Sequence, residues 1–246
     1  MDDVTVPVLQ GIDLLIRPGH FTVLLGPSGS GKTTLLNLVG GIDRADSGEV
    51  VVAGRSMATM NDDELADFRA NHIGFIFQNF NLIPVLTAFE NVEYPLVLAG
   101  MDKERRKRRV HRLLDAVGLA DRADNRPGQL SGGQRQRVAI ARALAHKPRL
   151  VLADEPTANL DSQTGEAILE LMRVMQEQFK ISFVFSSHDR ALMRAADDLI
   201  TLRDGVIQAI RRKAPDAEPA APDSAPDSAP DSAPDAAPDS RSHELG

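Results

Sequence analysis

The sequence predicts an α/β domain built on a mostly parallel β-sheet. Three observations carry this. Short apolar runs of strand length alternate with helical patterns between Phe21 and Ile210. A glycine-rich stretch, Gly26-Pro-Ser-Gly-Ser-Gly-Lys-Thr33, stands directly between the first such run and the first helical pattern, the context that makes a phosphate-binding loop credible. A later apolar run, Arg149–Ala153, ends in two acids, Asp154 and Glu155.

In chain order, Phe21–Leu25 reads as the strand feeding the glycine-rich loop and Lys32–Val39 as the helix leaving it. Glu49–Val52 and His72–Phe77 read as further strands. Residues 87–145 break the alternation and read as a mostly helical insert, whose last helix begins at Ser131. Arg149–Ala153 and Ser182–Phe185 are continuous apolar runs, as a strand buried on both faces requires. Leu199–Leu202 and Val206–Ile210 flank Arg203-Asp204-Gly205, a hairpin signal that supplies a small antiparallel part. Residues 1–213 are thus expected to form one domain. Residues 214–246 repeat Ala-Pro-Asp-Ser, with little to bury and prolines that block regular ladders. They are expected to be an extended, disordered tail that solubilises rather than binds a partner.

Composition narrows the function classes. The chain has no cysteine, which excludes a disulfide framework and a thiolate metal site. No run approaches the roughly eighteen apolar residues of a membrane span. Met1-Asp-Asp-Val4 offers neither a basic nor an apolar leader region, so a cytoplasmic protein, soluble or docked on a membrane, is expected. The net charge of −7 resides in the tail, where eight acids from Asp216 to Glu244 face one base, Arg241. The rest of the chain is balanced, and no nucleic-acid partner is expected.

The glycine-rich loop carries the first chemistry. Gly26, Pro27, Ser28, Gly29, Ser30, Gly31, Lys32, Thr33 and Thr34 form a candidate nucleotide cradle. The glycines let backbone N–H groups wrap the β- and γ-phosphates, and the helix N-terminus adds its dipole. Lys32 is expected on the β/γ oxygens and the Thr33 hydroxyl on Mg²⁺. Asp154, at a strand end beside this loop, is expected to hold Mg²⁺ through water. Glu155 is expected to orient or deprotonate the water that attacks the γ-phosphate of ATP.

Leu130-Ser-Gly-Gly-Gln134 is more specific still: by average residue usage it arises by chance in about one chain in a few thousand. Ser131 is a plausible N-cap, and Gly132 and Gly133 bare the backbone N–H groups of a second anion site. With the phosphate loop, this pentamer makes residues 8–210 resemble the ATP-binding subunit of the ABC (ATP-binding cassette) family, a P-loop NTPase core carrying a helical insert.

The resemblance implies roles for further residues. Gln78, after Ile73-Gly-Phe-Ile-Phe77, would contact Mg²⁺ and the attacking water and link the core to the insert. His188, after Phe183-Val-Phe-Ser-Ser187, would contact the γ-phosphate; read alone it is an ordinary strand-end histidine. Asp161, in Ala158-Asn-Leu-Asp161, would lie in the loop that crosses to a partner. Two copies would pair head to tail, each ATP lying between the Lys32 loop of one and Ser131–Gln134 of the other, and a monomer would hydrolyse ATP poorly. One departure stands out. No aromatic residue precedes Phe21, so the family's adenine-stacking side chain is missing, and ATP binding weaker than usual is expected.

The stretch Gln78-Asn-Phe-Asn-Leu-Ile-Pro84 through Asn91-Val-Glu-Tyr-Pro95 resembles subunits of the lipoprotein-release, macrolide-efflux and antimicrobial-peptide-resistance group. That group implies a separate membrane permease with a large extracytoplasmic domain, and a place for this chain on the cytoplasmic face of the membrane. Phe80, Leu82, Ile83, Leu86 and Tyr94 would line the docking groove or pack the insert's own core. Lys103–Arg109 with Arg112 reads as a solvated helix face over Val110, Leu113, Leu114 and Val117, with contact to anionic lipid headgroups or to acidic groups of the membrane partner as the competing reading. The function implied is ATP hydrolysis that powers an exporter. Mechanical control of an extracytoplasmic partner without transport is the alternative, and a soluble ATPase of repair or translation is a third.

Overall fold

The computed structural model describes residues 7–213, so the repeat tail lies outside the described residues. The continuous apolar runs form parallel strands with both faces covered. β1 (Phe21–Leu25), β5 (Leu150–Asp154) and β6 (Ser182–Ser186) stand side by side, with β4 (Ile73–Ile76) outside β5 and β7 (Asp198–Arg203) beside β1. These five strands run parallel, while β8 (Val206–Arg212) turns back antiparallel on β7, as the Asp204-Gly205 signal predicts. A separate antiparallel pair joins β2 (Val51–Val52) and β3 (Arg55–Ser56). The run read as a strand over Glu49–Val52 pairs only at its last two residues.

Alternate residues of one strand serve two cores. Phe21 and Val23 of β1, Val151 and Ala153 of β5, and Phe183 and Phe185 of β6 bury against one set of helices. These are α3 (Ala88–Leu98), α4 (Lys103–Ala116), α5 (Gly132–Ala143), α6 (Ser162–Phe179) and α7 (Arg190–Ala195), which contribute Val92, Leu113, Ile140, Met172 and Leu192. Leu24, Leu150, Leu152 and Val184 point the other way, onto Leu35 and Leu36 of α1 (Lys32–Val39) and Phe68 of α2 (Asp62–His72). Each such side chain adds about 2 kcal/mol on burial. Phe21 lies 5.3 Å from Phe183 and 4.8 Å from Phe185, ring centre to ring centre, so it packs the core and is not available to stack a base.

Two further sequence expectations need correction. The run read as a strand from His72 begins at Ile73, because His72 closes α2, a helix that the apolar pattern does not reveal. Its signal is polar: Asn61 caps the helix in a reciprocal box with Glu64, at 2.9 Å and 2.8 Å, and acids fill the first turn. The basic run on α4 is not wholly a solvated face. Arg109 is buried at 8% exposure, and it donates to the carbonyls of Leu144 (2.9 Å) and Ala145 (3.1 Å) past the end of α5. Arg106 pairs with Glu93 of α3 at 3.0 Å. Both are structural, and Lys103, Arg105, Lys107, Arg108 and Arg112 make up the exposed remainder.

Candidate nucleotide-binding site

The carboxyl ends of β4, β5, β6 and β1 lie along one edge of the parallel sheet, where ligands of open α/β sheets bind. The glycine-rich loop leaves β1 there. Gly26 has a backbone only glycine takes readily (φ 156°), and a Cβ on it would meet the Leu202 carbonyl oxygen at 2.1 Å. Gly31 (φ 97°) caps α1 in left-handed conformation with no side-chain oxygen to satisfy the first-turn amides, so those N–H groups are left for an anion. A Cβ on Gly31 would meet the Leu9 side chain at 2.6 Å, which seats the N-terminal segment on the loop. Lys32 Nζ donates to the carbonyls of Gly26 (2.8 Å) and Pro27 (2.9 Å), curling its ammonium over the loop. Pro27, Ser28 and Gly29 form the exposed rim, and Thr34 follows half-buried on α1. Ser30 is 2% exposed, and its hydroxyl has no partner among the described residues.

The acids stand across from the loop. The Thr33 hydroxyl donates to the Asp154 carboxylate at 3.3–3.4 Å. Hydroxyl and carboxylate oxygens suit a hard cation. The described residues offer no cluster of three or more His, Cys, Asp or Glu, so a cation here would draw its other ligands from phosphate and water, as Mg²⁺ prefers. Glu155 adopts left-handed backbone (φ 45°), at a cost of order 1–3 kcal/mol, and its N–H bonds the Ser186 carbonyl at 2.9 Å. Both of its carboxylate oxygens are engaged. Ser187 Oγ donates to one at 3.1 Å and His188 Nδ1 lies 2.9 Å from the other. A carboxylate only accepts, so Nδ1 carries the hydrogen in this contact. His188 is 82% exposed, which leaves it accessible to a ligand. Ser187 is fully buried and went unread in the sequence; its place between a strand and His188 is the only signal it gives.

Gln78 lies exposed in the turn after β4, its carbonyl accepting from Asn159 at 3.0 Å. Asp161 caps α6 through the Thr164 N–H at 3.0 Å, and the Thr164 hydroxyl and amide hold its carboxyl below the usual range. A cleft of about 380 Å³ opens beside Glu155, lined also by Leu160, Asp161, Gly165, His188 and Arg190.

Ser131 caps α5 as its sequence suggests. Its Oγ accepts the Gln134 N–H at 3.2 Å, and Gln134 Oε1 accepts the Ser131 N–H at 2.9 Å. The two glycines have a second reason to be there. A Cβ on Gly133 would meet Thr164 Cγ2 at 2.5 Å, and one on Gly132 would meet Leu160 Cδ2 at 3.4 Å. Among the described residues no hydrogen bond joins 131–134 to the glycine-rich loop, so the chain presents two separate anion-ready helix starts.

The chain as a whole is similar to known proteins. A family model described as "ABC transporter" matches residues 9–158. An uncharacterized ABC transporter ATP-binding protein of Thermotoga maritima is 47% identical over 213 residues, covering 87% of this chain and 91% of that protein. The macrolide export ATP-binding/permease protein MacB of Brucella melitensis is 48% identical over 89% of this chain, which spans only 34% of MacB. Among solved structures, the ATP-binding cassette MJ0796, a dimer in a post-hydrolysis state bound to ADP and Pi, is 42% identical with a TM-score of 0.78, covering 86% of this chain and 93% of that one. No helix among the described residues is long and apolar enough to cross a membrane. This chain belongs to the ABC transporter family, as an ATP-hydrolysing, ATP-binding cassette.

Proposed function

We propose that residues 1–213, with their helical part at about 87–145, act as one half of a head-to-tail dimer that hydrolyses ATP and powers a separate membrane permease of the lipoprotein, macrolide or peptide export type. The observation that carries this is the gathering of Lys32, Thr33, Asp154, Glu155 and His188 at one edge of the sheet, while Ser131–Gln134 opens a different helix facing Leu160 and Thr164. One site holds the reacting phosphates and the other is left for the partner's nucleotide. The MJ0796 dimer with ADP and Pi and the permease fused to the cassette in MacB support the same reading.

In this reading the first-turn amides of α1 and the Lys32 ammonium neutralise the β- and γ-phosphate oxygens. Lys32 exchanges its contacts with Gly26 and Pro27 for phosphate. Thr33 and Asp154, with Gln78, would hold Mg²⁺, which when bound supplies charge neutralisation between the phosphates. Glu155 accepts a proton from the water whose oxygen bonds to the γ-phosphorus, as the bond to the β–γ bridging oxygen breaks and ADP departs. Ser187 aims the Glu155 carboxylate. His188 leaves that carboxylate for the γ-phosphate, and Asp161 meets the partner from its place at the start of α6. Ser131, Gly132, Gly133 and Gln134 complete the site from the other subunit.

The permease would dock on the face bearing Val85, Tyr94, Val97 and Leu98, which are 45–72% exposed. Of the apolar residues singled out in the sequence only Tyr94 is among them; Phe80, Leu82, Ile83 and Leu86 are half-buried. Docking there would put the chain on the cytoplasmic face of the membrane, and the balanced charge of residues 1–213 favours no nucleic-acid partner. The test is Glu155→Gln. We expect MgATP to convert this variant from monomer to dimer on a sizing column while turnover falls by about 10²–10³-fold. Normal hydrolysis would remove Glu155 from its role. Purification from detergent-solubilised native membranes should bring down a permease with a large extracytoplasmic domain, and recovery with ribosomes or DNA instead would sink the exporter reading.

A further inference from the structure

α4 has two faces of opposite chemistry. Arg109, Val110, Leu113 and Leu114 bury one of them. Arg106 ties the helix to its surroundings, pairing with Glu93 of α3 at 3.0 Å and donating to the Met101 carbonyl at 2.6 Å. The other face carries Lys103, Arg105, Lys107, Arg108 and Arg112, all exposed. At about 3.6 residues per turn these cations fall into two stripes, Lys103–Lys107 and Arg105–Arg108–Arg112, the second about 10 Å long.

Glu104 and Asp115 stand between the stripes, at helical spacing from Arg108 and Arg112. A helix that neutralised itself would close those pairs. Among the described residues, none of the five exposed cations pairs with a carboxylate. Arg112 Nε donates instead to the Arg108 carbonyl at 3.3 Å. The Asp102 carboxylate is taken by the N–H groups of Glu104 (3.0 Å) and Arg105 (3.1 Å), as an N-cap. Five cations against Asp102, Glu104 and Asp115 leave this surface positive, although residues 1–213 as a whole are balanced.

The chemistry and the place of the surface say what it suits. Guanidinium forks match phosphate oxygens two at a time. Cations spread along a convex helix answer a plane of negative charge better than a single acidic side chain. The surface begins at Lys103, five residues past Leu98, where α3 presents Tyr94, Val97 and Leu98 at 45–67% exposure. An apolar shoulder beside a basic helix is the combination used by proteins that lie in the headgroup layer. In the function proposed above that shoulder meets the permease, so the basic helix stands at the rim of the interface, close to the surrounding lipid.

We propose that the exposed basic face of α4 binds the phosphate headgroups of an anionic bilayer and so holds the cassette against the lipid around its permease. This takes from the function proposed above only that the cassette works at a membrane, and vesicles test it without a permease.

The experiment uses the full chain as wild type, as Arg105→Gln/Arg108→Gln/Arg112→Gln and as Glu104→Gln/Asp115→Asn. Each protein is sedimented with vesicles of phosphatidylcholine alone and with vesicles of equal parts phosphatidylcholine and phosphatidylglycerol, at low salt and at about 1 M salt. Each Lys or Arg near an anionic surface strengthens binding about fivefold. We expect the wild type to bind only the anionic vesicles and to be released at high salt. The arginine variant should bind up to about a hundredfold more weakly, and the variant lacking the two acids should bind several-fold more tightly. All five substituted positions are exposed and outside the nucleotide site, so thermal midpoint and ATP hydrolysis in solution should match the wild type. Tighter binding by Glu104→Gln/Asp115→Asn has no explanation in misfolding, which keeps the test valid even if the arginine variant folds poorly. Equal binding to both kinds of vesicle, binding that survives high salt, or wild-type binding by a folded arginine variant overturns the proposal. So does a wild type that ignores anionic vesicles while the arginine variant loses co-purification with a permease, which assigns the surface to acidic groups of that protein. Vesicle binding as expected with no permease recovered from native membranes upholds the lipid surface and defeats the exporter reading alone.

Discussion

α1 and α5 both begin at a glycine-rich N-terminus, and they are finished in opposite ways. α1 starts from Gly31, in left-handed conformation, with no side-chain cap and no acid in its first turn. α5 starts from Ser131, whose hydroxyl and the Gln134 side chain close a reciprocal box worth about 1 kcal/mol. The first helix leaves its amides to a ligand and steadies the loop with Lys32. The second satisfies part of itself and keeps its shape without one. The difference fits the head-to-tail dimer proposed above: a site that captures nucleotide alone would be left hungry, and one that closes on nucleotide delivered by a partner would be pre-formed. The predictions below test that division.

The largest effect belongs to Lys32. Lys32→Ala removes the one side-chain cation that, among the described residues, bonds the loop itself, at Gly26 and Pro27. We expect nucleotide binding by the isolated subunit to be lost and turnover to drop by about 10²–10³-fold. Binding of a fluorescent ATP analogue is the measurement, and wild-type affinity in Lys32→Ala would break the comparison at its first half.

α5 has a weakness at its other end that α1 lacks. His146, just beyond α5, has no hydrogen-bond partner for either ring nitrogen among the described residues. Burial lowers its pKa from 6.5 to about 4; the Ile73 backbone, near but outside bonding geometry, offsets part of this, and the positive neighbours His72 and Arg109 add to it. The folded state therefore resists protonation that the unfolded chain accepts. The stabilisation is present above about pH 6.5 and is lost as pH falls toward 4, up to about 3 kcal/mol. His146→Leu should flatten that part of the pH dependence of the urea midpoint. An unchanged pH profile in His146→Leu would show that another group carries it.

How much of this was legible depended on how local the cause is. The expected bounds of β1 and α1, Phe21–Leu25 and Lys32–Val39, are those observed, because strand, loop and helix there are dictated by consecutive residues. α2 escaped because only Leu65 and Phe68 mark its buried side; its message was the Asn61–Glu64 box. Arg109 looked like one base among many, and only its neighbour Val110 hinted that this part of α4 turns inward. The strand-end residues Asp154, Glu155 and His188 meet because parallel strands bring their carboxyl ends together, which a pattern of alternating elements already implies. Ser187 on Glu155, Asn159 on Gln78 and Arg142 on Phe80 pair across 32, 81 and 62 residues of chain, and no local signal marks them.

Gly133→Ala asks whether the glycines of α5 serve bare amides or close packing. The added methyl would lie 2.5 Å from Thr164 Cγ2. Overpacking of this kind costs about 1–3 kcal/mol. If packing is the cause, Thr164→Ser, which deletes that methyl, should restore the thermal midpoint and most of the turnover lost in Gly133→Ala. Stability restored without turnover would assign the glycine to anion contact instead.

The smallest effect, and the finest test of the comparison, is Ser131→Ala. It removes the hydroxyl that accepts the Gln134 N–H and frees the Gln134 side chain from its box. The helix should lose about 1 kcal/mol, a few degrees of thermal midpoint. ATP affinity of the isolated subunit should not change, because the α1 loop makes no hydrogen bond to this cap. MgATP-driven dimerisation in a Glu155→Gln background should weaken, because the partner's phosphate meets a frayed helix start. Weaker ATP binding by the monomer would mean that the two helix starts are not independent within one chain, and the division drawn between them would fall. Unchanged monomer binding with weaker dimerisation would place the role of Ser131 across the interface, where the capped amides of α5 face a nucleotide held by the uncapped amides of α1 in the other subunit.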